Sequence, residues 1–232
     1  MRPLGMGSTG RKLVSAALLA TNAKEIHNEF FPFQLSYAVK NGCEAVVHFR
    51  RRMHELRGNT HVIITLDVSN AFNSVSRLQG LLSIAQALPE IYTHANQTYK
   101  RINKLWMDGP GEATRQPIKA QEGSTQGAVD GGTFFNMAMR LKRQTWPLNQ
   151  GGMGQWSPSR TTFLDVTPTL ARRVLDIVTQ RFQTLRLKII NDKCWVLADT
   201  TELLQRVDLS GNPELERIKT TLEGIKVLGA AI

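Results

Sequence analysis

The 232-residue chain has little cysteine, a deficit of acid and no long apolar run. Its two cysteines, Cys43 and Cys194, are too few for a disulfide framework and have no metal-ligand spacing. A disulfide-stapled secreted scaffold and a cysteine-ligated zinc module are therefore excluded, and a reducing compartment is the default. No stretch approaches the roughly 20 apolar residues that cross a bilayer as a helix. The N-terminal MRPLGMGSTGRKLVSAALLATNAKE lacks a cleavage pattern after its short apolar stretch, so no secretory leader is expected. No internal repeat is visible. Acids number 19 against 29 Lys plus Arg, a net charge of +10. Such an excess suits a polyanionic partner, nucleic acid or an anionic membrane surface, although a merely basic soluble protein has the same balance.

Apolar periodicity organises what is present. Val14 to Phe31 reads as a helix interrupted at Asn22 and Asn28. In Glu44 to Arg57, apolar residues recur at three- and four-residue steps before Gly58, and the other face carries Arg50, Arg51, Arg52 and Arg57. That arginine run is either a solvated helix face or a phosphate-contacting one. His61 to Val68 is a β-branched run and reads as a strand. Helices follow over Asn73 to Leu88 and Glu90 to Lys104, and the turn signals around Asp108-Gly109-Pro110-Gly111 predict a hairpin. Thr133 to Lys142 reads as a helix, Gln144 to Arg160 as a polar loop, and Thr161 to Val166 as a strand. Thr167 and Pro168 then suit the N-cap and first turn of a helix. Leu187 to Ala198 reads as strand around a turn, and Ile225 to Leu228 as a final strand. Interleaved strands and helices predict an α/β or α+β domain with a helix-backed sheet.

Two strands end in an acid in matched surroundings, IITLDVSNAF at Asp67 and TTFLDVTPT at Asp165. Adjacent strands would bring both carboxylates to one sheet edge, a site for a hard divalent cation such as Mg²⁺. Taken singly, each acid also reads as a strand-end turn or a helix cap. Between them, EGSTQGAVDGGTFF has glycines that permit close approach of backbone to a ligand, or simply form a loop before a helix.

The order of these segments resembles the reverse-transcriptase domain of non-LTR retrotransposons. LDVSNAFNSV is similar to the first palm motif, EGSTQGAVDGGTFF to the template-and-nucleotide motif, FLDVTPT to the aromatic-x-Asp-Asp motif, and LRLKIINDKCWVLA to the segment after it. GIKVLGAAI resembles the strand before the thumb. RPLGMGSTGRKLVSAALL and QLSYAVKNGCEAVVHFRR resemble fingers segments. The resemblance implies an α+β right-hand polymerase palm, an antiparallel sheet backed by helices, with a mostly helical fingers portion. Residues 1–60 would be fingers. Residues 61–232 would be palm, with an inserted hairpin at about 104–123, ending before a thumb.

The implied activity is RNA-directed DNA polymerisation, in which a primer 3′-hydroxyl attacks a deoxynucleoside triphosphate between two metals. Asp67, Asp165 and the Val68 carbonyl would hold Mg²⁺ or Mn²⁺, and Lys193 would protonate the leaving pyrophosphate. Phe72 would exclude a 2′-hydroxyl from beneath the sugar, with a core aromatic as the plainer reading. Gln126 and Gly127 would contact nucleotide and template, and Arg11 and Lys12 the triphosphate. Partners would be an RNA template, a DNA primer and dNTPs, with no membrane, inside the nucleus. The chain also departs from the pattern. Val166 stands where a second acid is expected, Gln-Gly-Ala-Val replaces Gln-Gly-Asp-Pro, and the segment before Asp165 is polar where a paired strand belongs. These departures support an alternative, a catalytically inactive nucleic-acid-binding remnant. An unrelated basic interaction domain fits the ordered motifs poorly.

Overall fold

β-Branched residues lose little on entering a pleated strand and pack well on both of its faces. Val62 to Leu66 accordingly form the start of the central strand, every one of them buried. The structure is a computed structural model. It describes all residues except 1–7, 32–33, 35–38, 58, 109–114, 126, 141–152, 157–160, 211–214, 224–225, 228–229 and 232. In chain order the elements are α1 (Thr9–Thr21), α2 (Ala23–Phe30), α3 (Gly42–Arg57), β1 (Val62–Ser69), α4 (Ala71–Ser74), α5 (Arg77–Ala87), α6 (Pro89–Tyr99), β2 (Asn103–Asp108) and β3 (Arg115–Ala120). They continue with α7 (Gly131–Met139), β4 (Met153–Trp156), β5 (Thr161–Val166), α8 (Pro168–Thr184), β6 (Lys188–Ile189), a single 3-10 turn (Asn191–Lys193), β7 (Trp195–Leu197), α9 (Thr201–Gln205), β8 (Lys219–Thr221), β9 (Lys226–Val227) and β10 (Ala230–Ala231).

The chain forms two compact units, one of Met1–Glu29 with Asn70–Arg140, the other of Phe30–Ser69 with Leu141–Ile232. The second holds the main sheet, in the order β4-β5-β1-β7-β8, with β6 also paired to β1. Pairing is antiparallel except between β7 and β8, which run parallel, so the sheet is mixed rather than antiparallel throughout. Val62, Ile64, Leu66 and Val68 occupy alternate positions and are completely buried, as are Leu164 and Val196 on the flanking strands. α8 buries Ala171, Val174, Leu175, Val178 and Phe182 along one stripe, as its apolar spacing predicts. Thr167 and Pro168 start it as expected, although the Thr167 side chain makes no capping bond.

The first unit is helical around the β2–β3 hairpin. The expected long helix from Asn73 is in fact two, because Ser76 accepts a hydrogen bond from the Gln79 N–H and so starts α5 afresh. The helix from Glu90 stops at Tyr99, since Asn103 onwards pairs with the strand opposite. α7 is buried except at Gly132, with Phe134 and Phe135 at its centre and Thr133 and Asn136 as its polar residues. α5 approaches it closely at Gly80, where a Cβ would lie 2.5 Å from the Phe134 ring. Arg77 is buried at the base of the hairpin. It donates to the carbonyls of Gly123, Arg101 and Ala120 at 2.9–3.0 Å, and its backbone N–H bonds Glu122.

Gln144 to Arg160 reads as loop, yet Met153–Trp156 within it form β4, paired along β5. Backbone hydrogen bonding to a neighbouring strand outweighs the weak strand propensity of Gly154 and Gln155.

Candidate functional site

The register of β1 and β5 decides whether the two acids can act together. Asp67 lies opposite Thr161, and Asp165 lies opposite Ile63. Ile63, Thr65 and Asp67 alternate onto one face of the sheet, so the acids share a face but sit four residues apart along it. At about 3.3 Å per residue that is roughly 13 Å, against the 3–5 Å expected for ligands of a shared metal. Burial follows the same gradient. Ile63, Asp165 and Leu197 are 3%, 2% and 2% exposed, so this end of the face is covered. Asp67 and Ser69 are half-buried at the open end. The structure therefore does not bring Asp67 and Asp165 to one edge. Matched flanking sequences placed both acids near strand ends, but these are opposite ends of an antiparallel pair. Ser157, Pro158, Ser159 and Arg160, which precede Thr161 in the chain, include no acid. Among the described residues, no group of three or more His, Cys, Asp or Glu could hold a metal. Asp67 and Asp165, set this far apart along the sheet, do not fit one shared pair of divalent cations.

Val166 is likewise not beside Asp67. It lies opposite Val62, on the fully buried face, with 1% exposure. Val68 is fully buried opposite Ile189.

The backbone around Asp67 is well held. Its N–H meets Cys194 Sγ at 3.3 Å, its carbonyl accepts from the Ile190 N–H at 2.9 Å, and its Oδ1 accepts from the Val68 N–H at 2.9 Å. These contacts tie the 3-10 turn that carries Lys193 to the open end of β1. Lys193 is exposed there. Burial pushes the Cys194 thiol up to about 11, with the negative charge of Asp67 adding to it, so the group is a neutral packing residue rather than a nucleophile.

Phe72, Gly127, Arg11 and Lys12 belong to the other unit. Phe72 sits on α4, half-buried, with its ring stacked on Phe135 at 4.5 Å between centroids. Its carbonyl accepts from the Ser124 N–H at 2.6 Å. The Ser124 segment lies so close that a Cβ on Gly123, at φ +75°, would come within 2.2 Å of the Asn73 backbone. Phe72 is thus held half-buried by its ring stack and its backbone hydrogen bond. Gly127 is exposed at φ +98°. Arg11 and Lys12 lie in the first turn of α1, where Ser8 caps the Arg11 N–H. Gln126 lies outside the described residues. On α3, Arg51 and Arg52 are exposed, and Arg52 is paired with Glu55 at 3.0 Å.

The sequence reading missed a buried polar group in the helical unit. Ser15 Oγ lies 2.8 Å from His94 Nε2, Asp130 Oδ2 lies 3.8 Å from the same nitrogen, and the Tyr99 hydroxyl donates to Asp130 Oδ1 at 3.1 Å. Burial and the Asp130 charge push the Tyr99 phenol upward. A nucleophile relay needs Ser and Asp on opposite ring nitrogens. Here both approach Nε2, and the cavity they line is about 20 Å³, room for one water and no substrate. The group is structural. No local motif signals it, because its members are scattered along the chain.

Comparison with known proteins gives a fold. No family model and no curated protein matches the chain. Among solved structures, apo telomerase from Candida tropicalis is similar over 80% of this chain and 36% of its own, with a TM-score of 0.53 at 11% identity. The same protein truncated from its C-terminal domain gives 0.51 at 12% identity, over 80% of this chain and 39% of its own. Telomerase from Candida tropicalis in complex with a TWJ fragment of telomeric RNA gives 0.52 at 11% identity, over 78% and 32%. The fold is similar to that of part of these telomerase chains. The chain spans less than two-fifths of the length of each of these telomerase chains, and identities this low carry the fold alone. Among the described residues, no helix is long and apolar enough to cross a membrane.

Proposed function

We propose that this chain is a reverse-transcriptase-derived, nucleic-acid-binding domain of the non-LTR retrotransposon kind that lacks a working two-metal centre. The observation that carries the second half of this reading is the β1–β5 register. It sets Asp165 at the covered end of the sheet face and Asp67 at the open end. Binding is supported by the net charge of +10 and by the polymerase-like fold. The partners proposed are RNA and DNA strands, in the nucleus.

A second reading keeps RNA-directed DNA polymerisation. One observation favours it: Asp67 stands half-buried at the open end of the central strand, with the Lys193 turn hydrogen-bonded to its backbone. On this reading Asp67 would hold Mg²⁺ or Mn²⁺, Lys193 would supply a proton to pyrophosphate, and Phe72 would select dNTPs over ribonucleotides.

Two assays on the same preparation separate the readings. The first measures affinity for an RNA–DNA primer–template as salt is raised. The second follows extension of that primer with dNTPs and Mg²⁺ or Mn²⁺. The proposed function predicts binding that weakens by about 0.7–0.9 log unit per log unit of salt for each phosphate neutralised, and no extension. Extension that Asp67→Asn abolishes would establish the second reading. Affinity that is indifferent to salt would count against both.

A further inference from the structure

Lys188 and Trp195, in the segment LRLKIINDKCWVLA, and Lys219 have no role in the polymerase chemistry described above. Strand register places Thr65 opposite Trp195, and Trp195 opposite Lys219 on β8. It also places Ser69 opposite Lys188. Opposite residues share a face, and Thr65, Asp67 and Ser69 alternate onto the same one. Trp195 and Lys219 therefore lie side by side at the level of Thr65, and Lys188 lies on the same face at the level of Ser69, four residues or roughly 13 Å further along β1, with Asp67 at the level between them, all within a single compact unit. Lys188 and Lys219 are exposed, and Trp195 is half-exposed. The other sheet face at these positions is apolar and closed, with Val68, Ile189 and Val196 buried. This face is covered at Ile63, Thr65 and Leu197 and accessible only at Lys188, Asp67, Ser69, Trp195 and Lys219, which combine an aromatic plane with two cations and one carboxylate.

Lys219 Nζ sits 5.2 Å from the centroid of the Trp195 ring. An ammonium over an indole holds the ring in one orientation, yet at an exposed site the contact is weak. A nucleic-acid base stacked on the same ring gains more than the cation gives up. Displaced from the ring, the flexible lysine stem can carry its charge to the phosphate next to that base.

We propose that this part of the face binds single-stranded nucleic acid, with one base stacking on Trp195, Lys219 contacting the phosphate next to that base and Lys188 contacting a phosphate further along the same strand. The inference rests on the nucleic-acid-binding function proposed above and adds where the strand lies and which form is preferred. A duplex keeps its bases paired and stacked, so it cannot offer one to Trp195. RNA and DNA single strands both can, because stacking uses the base and not the sugar.

The test is fluorescence anisotropy of labelled oligonucleotides with the full chain. One sequence is presented as single-stranded RNA, as single-stranded DNA and as a DNA duplex. Trp195→Ala is expected to weaken binding to both single strands about 5- to 150-fold, while duplex binding changes less than twofold. Trp195→Phe preserves an aromatic plane and the fold, and should retain most of the single-strand affinity. Lys219→Gln and Lys188→Gln should each lower the single-strand salt slope by about 0.7, which Trp195→Ala leaves unchanged. Equal losses on single strands and duplex for Trp195→Ala, with Trp195→Phe as poor as Ala, would overturn the stacking site. So would unchanged single-strand binding in Trp195→Ala. In either case, salt-dependent binding by the unaltered chain would leave the broader function standing. No binding by the unaltered chain at low salt would overturn that function and this inference with it.

Discussion

Replacing Val166 with Asp separates a damaged catalytic motif from a buried core position. By sequence pattern Val166→Asp restores a missing acid. By register it places a carboxyl opposite Val62, on a face where Val62, Ile64 and Leu164 are completely buried. Losing the buried valine costs about 1.5–2 kcal/mol. A carboxyl buried without partners titrates about 3–5 pH units above its value in water. At pH 7 the difference from an unfolded value near 3.9 amounts to about 4 kcal/mol. Burying the neutral acid adds about 1–3 kcal/mol. The total, about 6.5–9 kcal/mol, lies within the 5–15 kcal/mol that typically holds a domain together.

The sign follows from proton binding. Because the folded carboxyl would have the raised value, the folded state holds the proton more tightly. The charge-related penalty is therefore absent below about pH 4 and grows as pH rises toward 7. The assay is the melting temperature of Val166→Asp relative to the parent between pH 4.5 and 8, with Val166→Thr as the uncharged control. In a chain of this size 1 kcal/mol moves the melting point by roughly 2–4 °C, so the deficit should widen by roughly 8–15 °C across the range. The Thr variant should show a small, constant deficit. A Val166→Asp protein that melts within about 3 °C of the parent at all pH values, or that gains primer extension, would refute the assignment of Val166 to the core.

Arg77→Leu leaves three carbonyls at the hairpin base without their shared donor and should cost about 3–5 kcal/mol in urea unfolding. Arg77→Lys should recover little of it, because an ammonium cannot span the same fork of acceptors. Gly123→Ala should destabilise by at least about 2 kcal/mol, since it combines a positive φ with a clash against the Asn73 backbone, and circular dichroism melts will measure it. The Cys194 thiol, raised from 9.0 to about 11 on folding, contributes stability that is complete below pH 9 and lost as pH rises toward 11. Comparison with Cys194→Ala should isolate that loss as about 2–3 kcal/mol. Phe72→Ala should lower the melting point through the lost stack on Phe135, and in any preparation that extends a primer it should also raise ribonucleotide incorporation.

The elements legible in the sequence were those fixed by local chemistry. β1 declared itself by its β-branched run, α8 by Thr167-Pro168 and its apolar stripe, and the hairpin by its turn residues. The break between α4 and α5 was missed because Ser76 looks like any polar residue until its side chain is seen to cap a helix. β4 was missed because Met153-Gly154-Gln155-Trp156 has no strand period and becomes a strand only through its partner. The same limit explains the acids. Asp67 and Asp165 have nearly identical neighbours, but a one-residue step of register carries no local signature, and four such steps separate a metal site from two unrelated positions. Trp195 lay inside a segment read as strand. Its pairing with Lys219 depends on a parallel neighbour that the sequence does not announce.

The account is tested most directly by primer extension at a protein concentration that saturates binding of a labelled RNA-templated primer, with Mg²⁺ and Mn²⁺ tried separately. The account predicts a fully bound primer that does not lengthen in either metal. Template-directed lengthening that disappears with Asp67→Asn would contradict it, because Asp67 would then belong to a working metal centre.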